Sequence, residues 1–340
     1  MKKFTLVTTV FNEMSRLDQT IHDIENQTII PDEIIITDAG SKDGTFEKLL
    51  DWKKNSNISI VILQKVKCNV AEGRNFAIKT SKNSLIVSTD FGCRFHPQWL
   101  ESITSPFVDP SVQVVGGTFT VIEDDITSLS SKAAYILSNG YQCKLDQHFV
   151  PSSRSIAYYK IIWEQIGGYP EWLSLAADDL VFGLMLKNKN ISIHLVDKPF
   201  VYWGRHITPK AYGKEAFRYG LGDGEAQVNF RNFISNGIET FLRWGLFSAL
   251  IFTMSNWIFY GINLYYLLFT IPFLFGLRSY KNAFQNWIQF KSKKYNLTIL
   301  LYTFYLVEIT RFHYIKGYLK GLFNRTEEQK IGQKTLNASL

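Results

Sequence analysis

Apolar and polar positions follow two periods along the first half of the chain. Short β-branched runs, such as Glu33–Asp38, predict buried strands. Between them, apolar residues recur every three or four positions, as at Leu17, Ile21 and Ile24, and predict helices. The predicted strands are 5–11, 33–38, 59–64, 84–90, 112–121 and 191–196, and the helices 15–27, 45–53, 70–80, 98–103, 161–166 and 180–187. This alternation predicts a mostly parallel α/β sheet with helices on both faces.

Two segments lack this regularity. Residues 124–159 are expected to form a helix or a mobile loop across the front of the site. Residues 205–233 are polar and rich in glycine, and they are interpreted as the junction to a different C-terminal region. The predicted organisation is therefore a domain at 1–230, membrane-associated helices at 231–325 and a polar tail at 326–340.

The C-terminal region contains a long uncharged stretch, since no charged residue occurs between Arg243 and Arg278. A bilayer span needs roughly 20 apolar residues, so we predict a helical hairpin at about 244–277. The flanking arginines favour both of its ends on the cytoplasmic side. A second apolar run, at about 296–314, has lysines around it and predicts an interfacial helix on anionic lipid. A buried helical pair in a soluble domain is the alternative.

Charge and cysteine content narrow the class of protein. The formal net charge is +7, but eleven of the 37 Lys and Arg and only three of the 30 Asp and Glu follow residue 277. The front domain therefore lacks the basic surplus expected of a nucleic-acid-binding face. The three cysteines have no metal-ligand spacing and no disulfide pattern. We expect the front domain to lie in the cytoplasm, at the cell (inner) membrane.

Four acidic positions are the candidates for chemistry. Asp38 and Asp90 each follow a predicted strand, and the adjacent Asp178 and Asp179 precede a helical pattern. Open α/β sheets bind their ligands at the carboxyl ends of parallel strands. Carboxylates at that place suit a metal-bound phosphate ester and a general base.

The motifs around these acids resemble those of family-two glycosyltransferases. The matching motifs are Thr8-Thr-Val-Phe-Asn-Glu13, Asp38-Ala-Gly-Ser-Lys-Asp-Gly-Thr45, Thr89-Asp-Phe-Gly-Cys-Arg94 and Ala177-Asp-Asp-Leu180. Each motif alone is weak, but all four occur in the family's order on the expected elements. The resemblance covers roughly residues 4–225, and it implies an inverting enzyme with the GT-A fold.

The resemblance also assigns the substrate contacts. It implies that the residues matching Val10, Glu13 and Asp38 hold the base and ribose, and Asn12 lies in the same motif. A helix N-terminus after Val10 suits a nucleotide as well. It further implies that Arg74 reaches the diphosphate, while Arg218 is assigned to cover it on loop closure. A plain turn role for Asp38 and a solvated helix position for Arg74 stay open.

The remaining predictions concern the metal and the base. Asp90 is the metal candidate for Mg²⁺ or Mn²⁺, although the family's second acid is replaced by Gly92. A further ligand is expected from His206, for which a structural role is the alternative. Asp179 is predicted as the catalytic base and Asp178 as the residue that orients the acceptor or holds the loop. A helix N-cap with a first-turn acid is the other interpretation of this pair.

These observations predict an inverting glycosyltransferase. Its donor is a nucleotide-sugar, with UDP as the expected nucleotide. Its acceptor is lipid-linked or a growing polysaccharide at the cytoplasmic membrane face, which brings membrane lipid into contact with the enzyme. The alternatives are a processive polysaccharide synthase, which needs more spanning helices, and a non-catalytic nucleotide-sugar-binding scaffold, which the absent second acid favours.

Overall fold

The computed structural model describes residues 2–143, 145–146, 149–260, 274–290, 293 and 295–338. The chain divides into two compact units. The first comprises residues 1–123, 141–205 and 325–340, and the second comprises 124–140 and 206–324. The boundaries predicted at residues 230 and 325 separate functional regions and not compact units of the fold, so they stay predictions.

Strands and helices alternate in the front half of the chain, and the described C-terminal part is helical. The strands are β1 (Phe4–Val10), β2 (Glu33–Asp38), β3 (Ile60–Gln64), β4 (Leu85–Ser88), β5 (Arg94–Phe95), β6 (Val114–Val121), β7 (Ile156–Tyr159) and β8 (Ile193–Trp203). The helices are α1 (Met14–Glu25), α2 (Thr45–Asn55), α3 (Val70–Thr80), α4 (Trp99–Thr104), α5 (Leu129–Leu137), α6 (Lys160–Gln165), α7 (Asp178–Asn188), α8 (Pro209–Ala226), α9 (Phe230–Tyr260), α10 (Arg278–Gln289), α11 (Leu297–Phe323) and α12 (Glu327–Ala338).

The strands of the first unit form one sheet in the order β3-β2-β1-β4-β7-β6-β8-β5. The pairs β1–β2, β1–β4, β2–β3 and β6–β8 are parallel. The pairs β4–β7, β6–β7 and β5–β8 are antiparallel. The prediction of a mostly parallel sheet is therefore corrected to a mixed sheet, because β7 enters between β4 and β6 in the opposite direction.

Both faces of this sheet are buried under helices, as the sequence predicts. Alternate residues of β1 point to opposite faces, so Leu6 and Val7 belong to different cores. On one face Leu17 of α1 and Leu49 of α2 join the core. On the other face Ile78 of α3 joins it. The central strands are apolar on both faces for this reason, which is why they appear as continuous apolar runs in the sequence.

The predicted irregular segments contain regular structure. Residues 124–159 hold α5 and β7, and the predicted junction at 205–233 holds α8. The last predicted strand, 191–196, extends to Trp203 in β8 because its later residues pair with β6. The two-residue strand β5 was not predicted. It exists through its antiparallel pairing with β8, which the local sequence does not reveal.

In the second unit, α8 and α11 pack backbone to backbone through glycines. A Cβ on Gly220 would meet the Tyr314 carbonyl oxygen at 2.1 Å, and one on Gly317 would meet the Phe217 carbonyl oxygen at 2.2 Å. Neither position has room for a side chain, so the glycines set the distance between the two helices. The predicted interfacial helix at 296–314 is thus part of α11, with one face packed on α8.

A buried ionic network joins α9, α10 and α11. Arg243 Nη2 lies 2.8 Å from Glu308 Oε1, and Arg243 Nη1 lies 3.2 Å from Glu239 Oε1. The Glu239 carboxylate also accepts a hydrogen bond from the Ser279 backbone N–H at 2.7 Å. Glu239 is 1% exposed and Arg243 is 5% exposed, so these charges stabilise one another in place of water.

The predicted membrane hairpin falls partly on α9 and partly outside the described residues, which omit 261–273. Within the described parts of the chain, no helix combines the length and the apolar character needed to cross a bilayer.

Candidate functional site

The turns after β1 and β2 lie side by side at the carboxyl edge of the sheet, because Val10 pairs in register with Asp38. Asn12, in the left-handed region at φ 56°, ties them together. Its backbone N–H donates to Ser41 Oγ at 2.9 Å, and its Oδ1 accepts from the Lys42 N–H at 2.8 Å. Asn12 therefore holds the two turns in place, and the substrate role predicted for it stays a prediction.

The Asp38 side chain closes the second turn. Asp38 is fully buried, and its Oδ2 accepts from the backbone N–H of Gly40 at 2.9 Å and of Ser41 at 3.0 Å. This is the turn role left open by the sequence. The carboxylate thus fixes the shape of the loop, and binding of base or ribose by Asp38 stays a prediction.

Arg74 is buried and forms ion pairs with two of the predicted acids. Its Nη1 donates to Asp178 Oδ2 at 2.6 Å and its Nη2 donates to Asp90 Oδ1 at 2.8 Å. The side chain is 2% exposed, with the guanidinium 4.8 Å from the centre of the Tyr169 ring. Burial acts to lower the pKa of Arg74, but the neighbouring carboxylates raise it above its ordinary value. The interpretation as a solvated helix residue is wrong, since Arg74 is a buried cation that links Asp90 to Asp178.

A second arginine, Arg154, approaches Asp90 from the other side. Its Nε lies 3.7 Å from Asp90 Oδ2, and its Nη1 donates to Ser152 Oγ at 3.0 Å. Ser152 Oγ in turn donates to Asp179 Oδ2 at 2.9 Å. Together with Arg74, these contacts link Asp90, Asp178 and Asp179 in one connected ring of charged and polar groups.

The acid pair lies in the first turn of α7. The helix begins at Asp178, and its N-cap is Ala177 at φ 70°, without a side-chain cap. The N-cap interpretation is therefore wrong for Asp178, while the first-turn acid is correct and is favoured by the helix dipole. Burial raises the pKa of Asp178, and the charges of Asp179 and Asp90 act in the same direction, against Arg74. A positive φ at a residue with a Cβ indicates local strain beside the acids.

The space left by Gly92 is taken by another carboxyl group. A Cβ on Gly92 would lie 2.6 Å from Glu13 Oε2, and the φ of Gly92 is +89°. Burial raises the pKa of Glu13 to about 7, and the charge of Asp90 adds to that shift while Arg16 opposes it. Glu13 thus brings a second carboxyl group beside the Asp90–Gly92 turn. Its backbone N–H is held by Thr45 Oγ1 at 2.9 Å.

These carboxyl groups suit a divalent cation only in part. Mg²⁺ is commonly held by one or two carboxylates with the remaining ligands from substrate phosphates and water. Asp90 and Glu13 match that number, and the Asp90 side chain is 36% exposed. Across the described residues, no group of three or more His, Cys, Asp or Glu is placed to hold a metal ion. A cation here would therefore depend on phosphate oxygens of the donor.

Two predicted site residues belong to the second unit. His206 Nε2 lies 3.7 Å from Glu215 Oε1, and its ring is 5.4 Å from that of Tyr212. Arg218 lies on α8. The metal role of His206 and the diphosphate role of Arg218 stay predictions.

The front part of the chain is similar to a known enzyme family. Residues 5–162, just under half of the chain, match the family model described as Glycosyl transferase family 2. The structure of the mannosyltransferase PcManGT from Pyrobaculum calidifontis, in complex with GDP-Man and Mn²⁺, is 13% identical with a TM-score of 0.55, and the match covers 96% of this chain and 88% of that one. It shows the same GT-A-like fold.

Two relatives with assigned activities extend the comparison. The O-antigen chain rhamnosyltransferase RfbN of Salmonella typhimurium is 28% identical over 196 residues, which is 54% of this chain and 61% of the relative. The O-antigen chain rhamnosyltransferase WbaN of Salmonella anatum is 25% identical over 213 residues, which is 55% of this chain and 62% of that protein. The match thus spans about three fifths of each relative. Together with the family 2 match, these relatives support the prediction of a glycosyltransferase.

Proposed function

We propose that the chain is an inverting glycosyltransferase that moves a sugar from a nucleotide-sugar to a glycan or lipid-linked acceptor. The observation that carries this proposal is the ring in which Arg74, Arg154 and Ser152 connect Asp90 with Asp178 and Asp179. This ring supports the assignment of Asp90 to the donor and of Asp178 and Asp179 to the acceptor, because it holds the three acids close together.

Asp179 serves as the base in this proposal. Inversion requires a carboxylate behind the acceptor hydroxyl, which takes its proton as the new glycosidic C–O bond forms and the bond to the nucleoside diphosphate breaks. Asp178 is already held by buried Arg74 at 2.6 Å, whereas Asp179 accepts from a neutral hydroxyl. The Arg74 contact fixes the α7 N-terminus and so positions the base.

A divalent cation, Mg²⁺ or Mn²⁺, is part of the proposal. Asp90 would hold it, with Glu13 beside the same turn and phosphate oxygens of the donor completing the ligands. When bound, the cation neutralises charge on the diphosphate. The solved complex of PcManGT contains Mn²⁺ with GDP-Man, which supports a cation at the donor site of this fold.

The sugar proposed is rhamnose. Two relatives are named as O-antigen chain rhamnosyltransferases, and a growing polysaccharide or its lipid-linked precursor is the acceptor class predicted from the sequence. The nucleotide is predicted as UDP, and a donor panel that includes the other common carriers tests that prediction.

Attachment to the cytoplasmic face of the membrane completes the proposal. The exposed apolar residues Phe230, Ile234, Ile238 and Phe241 follow one face of α9, and Phe241 is 76% exposed. The sequence then continues without charge from residue 244 to residue 277. The full chain is expected to float with lipid vesicles containing an anionic lipid, and Ile238→Ser with Phe241→Ser should weaken that flotation. Equal flotation of this variant and of Leu50→Ser, a control at an exposed position of α2, would contradict the assignment of this face.

Donor transfer is tested with a panel of nucleotide sugars. The full chain is incubated with the UDP, GDP and dTDP forms of several sugars, including rhamnose, with and without Mn²⁺, and donor hydrolysis is measured without acceptor. We expect cation-dependent release of one nucleoside diphosphate. Binding of a donor without any turnover, with or without a glycan acceptor, would favour the scaffold instead of the enzyme.

A further inference from the structure

The diphosphate of the proposed donor needs a positively charged side chain to bind it, and Arg74 is poorly placed for that role. Both of its terminal nitrogens already donate to carboxylates, to Asp178 at 2.6 Å and to Asp90 at 2.8 Å. A ligand that reached Arg74 would have to break one of these buried pairs, which is costly.

Arg154 lies on the opposite side of Asp90, where it is less tightly paired and more exposed than Arg74. Its ion pair with Asp90 is long, at 3.7 Å, and its side chain is 16% exposed against 2% for Arg74. Its guanidinium lies 4.1 Å from the centre of the Trp203 ring and 5.1 Å from that of Phe119. The planes of these two rings are nearly perpendicular, at 86°, and contact with both restrains the position of the guanidinium.

The same indole carries a second arginine. The Arg205 guanidinium lies 3.9 Å from the Trp203 ring centre and 4.7 Å from that of Tyr141. Arg154 and Arg205 therefore both lie within cation–π distance of Trp203. Arg205 is 5% exposed, so two largely buried cations lie against one ring.

Such a pair suits an anion with several oxygens. Guanidinium groups bind phosphate oxygens through paired N–H donors, and planar groups held in place lose little freedom on binding. Asp90, the acid proposed for the donor's cation, lies next to Arg154. A diphosphate bridged to Asp90 by that cation would therefore have its oxygens near this side of the site.

We propose that Arg154 and Arg205, which both contact the Trp203 ring, bind the phosphate groups of the donor and stabilise the departing nucleoside diphosphate. The inference rests on the proposed function, because it needs a donor of this class. As the bond to the sugar breaks, negative charge grows on the diphosphate, and fixed cations stabilise that change. Arg74 then acts as a positioning residue for the acids.

The test compares the affinities of nucleoside diphosphates with those of nucleosides. UDP, GDP and dTDP, and uridine, guanosine and thymidine, are titrated calorimetrically into the full chain with Mn²⁺. Arg154→Gln is expected to weaken the diphosphate that binds the wild type by at least tenfold and to leave the nucleoside affinity unchanged. Arg154→Lys keeps the charge but not the planar guanidinium, and an intermediate loss is expected.

Arg94→Lys is the matched control for Arg154→Lys. Arg94 belongs to the same unit and donates to Asp23 Oδ1 at 2.9 Å, so the same substitution there should leave nucleotide binding unaltered. Arg205→Lys should reproduce the diphosphate-selective loss of Arg154→Lys. If Arg154→Gln fails to fold, the variants Arg154→Lys and Arg205→Lys still test the phosphate role.

The outcomes separate the two proposals. Unchanged diphosphate affinity in Arg154→Lys and Arg154→Gln, or an equal loss for diphosphate and nucleoside, would overturn the phosphate role while the transferase proposal stands. A wild-type protein that binds none of the three diphosphates would instead remove the proposed function, and this inference with it.

Discussion

Asp178 and Asp179 are adjacent in the chain but are held by different partners. Asp178 Oδ2 accepts from Arg74 Nη1 at 2.6 Å, whereas Asp179 Oδ2 accepts from Ser152 Oγ at 2.9 Å. A buried guanidinium thus holds one acid in an ion pair, and a hydroxyl orients the other. This asymmetry distinguishes two residues that the sequence presents as a pair.

Substitution to asparagine should separate these roles. Asp179→Asn removes the proposed base, so we expect transfer to fall at least a thousandfold, roughly the contribution of a general base, with nucleotide affinity retained. Asp178→Asn instead weakens the pairing of buried Arg74, and we expect a loss of stability of about 2–4 kcal/mol. Transfer rate, calorimetry and urea denaturation measure these effects. Transfer retained in Asp179→Asn but lost in Asp178→Asn at normal stability would reverse the assignment.

Ser152 is predicted to position the base. Ser152→Ala removes the hydroxyl that donates to Asp179, and we expect kcat to fall about tenfold, as for the loss of one hydrogen bond of about 1.4 kcal/mol. Because Ser152 also accepts from Arg154 Nη1, KM for the donor is expected to rise as well, while the fall in kcat reports the contact with Asp179. Ser152→Thr keeps the hydroxyl and should restore most of kcat. A variant with raised KM and unchanged kcat would place Ser152 in donor binding instead.

The raised pKa of Glu13 predicts that the stability of the protein depends on pH. Burial raises its pKa to about 7 from the ordinary 4.5, so between these values the folded protein holds a proton that the unfolded chain has released. Stability must then fall as pH rises through this window, by at most about 3 kcal/mol. Urea denaturation at pH 5 and pH 8 measures the fall, which Glu13→Gln should reduce. Equal differences between the two pH values in both proteins would contradict the shift.

The sequence predicts elements whose signals are local. Helix α3 begins at Val70 as predicted, because Asn69 and Glu72 form a capping box that lies within four consecutive residues. Strand β2 was predicted with its observed bounds, since its apolar run is buried on both faces. The strand β7 was missed, because Ile156–Tyr159 is short and owes its place to antiparallel partners on both sides.

The candidate site, like the fold, was predictable only where its signals are local in the sequence. Its acids follow strand ends or precede a helix, and such positions are visible in the sequence. The partners of those acids were not found, because Ser152 and Arg154 reach Asp179 and Asp90 only through the fold. The one local signal is the position of Ser152 and Arg154, directly before the apolar run that forms β7. Arg74 was singled out from its motif, but its burial beneath both acids required the structure.

The last prediction concerns the second unit, where Arg243 lies between two acids. Arg243→Met would leave Glu239, which is 1% exposed, and Glu308 without their shared cation. Removing one partner of a buried ionic network typically costs about 3–5 kcal/mol, and this is the loss of unfolding free energy expected. Arg231→Met is the control, since Arg231 is exposed on the same helix and should change stability by no more than about 0.5 kcal/mol. Denaturation followed by tryptophan fluorescence compares them. Equal stability of the two variants would mean that the network contributes nothing to the packing of α9, α10 and α11.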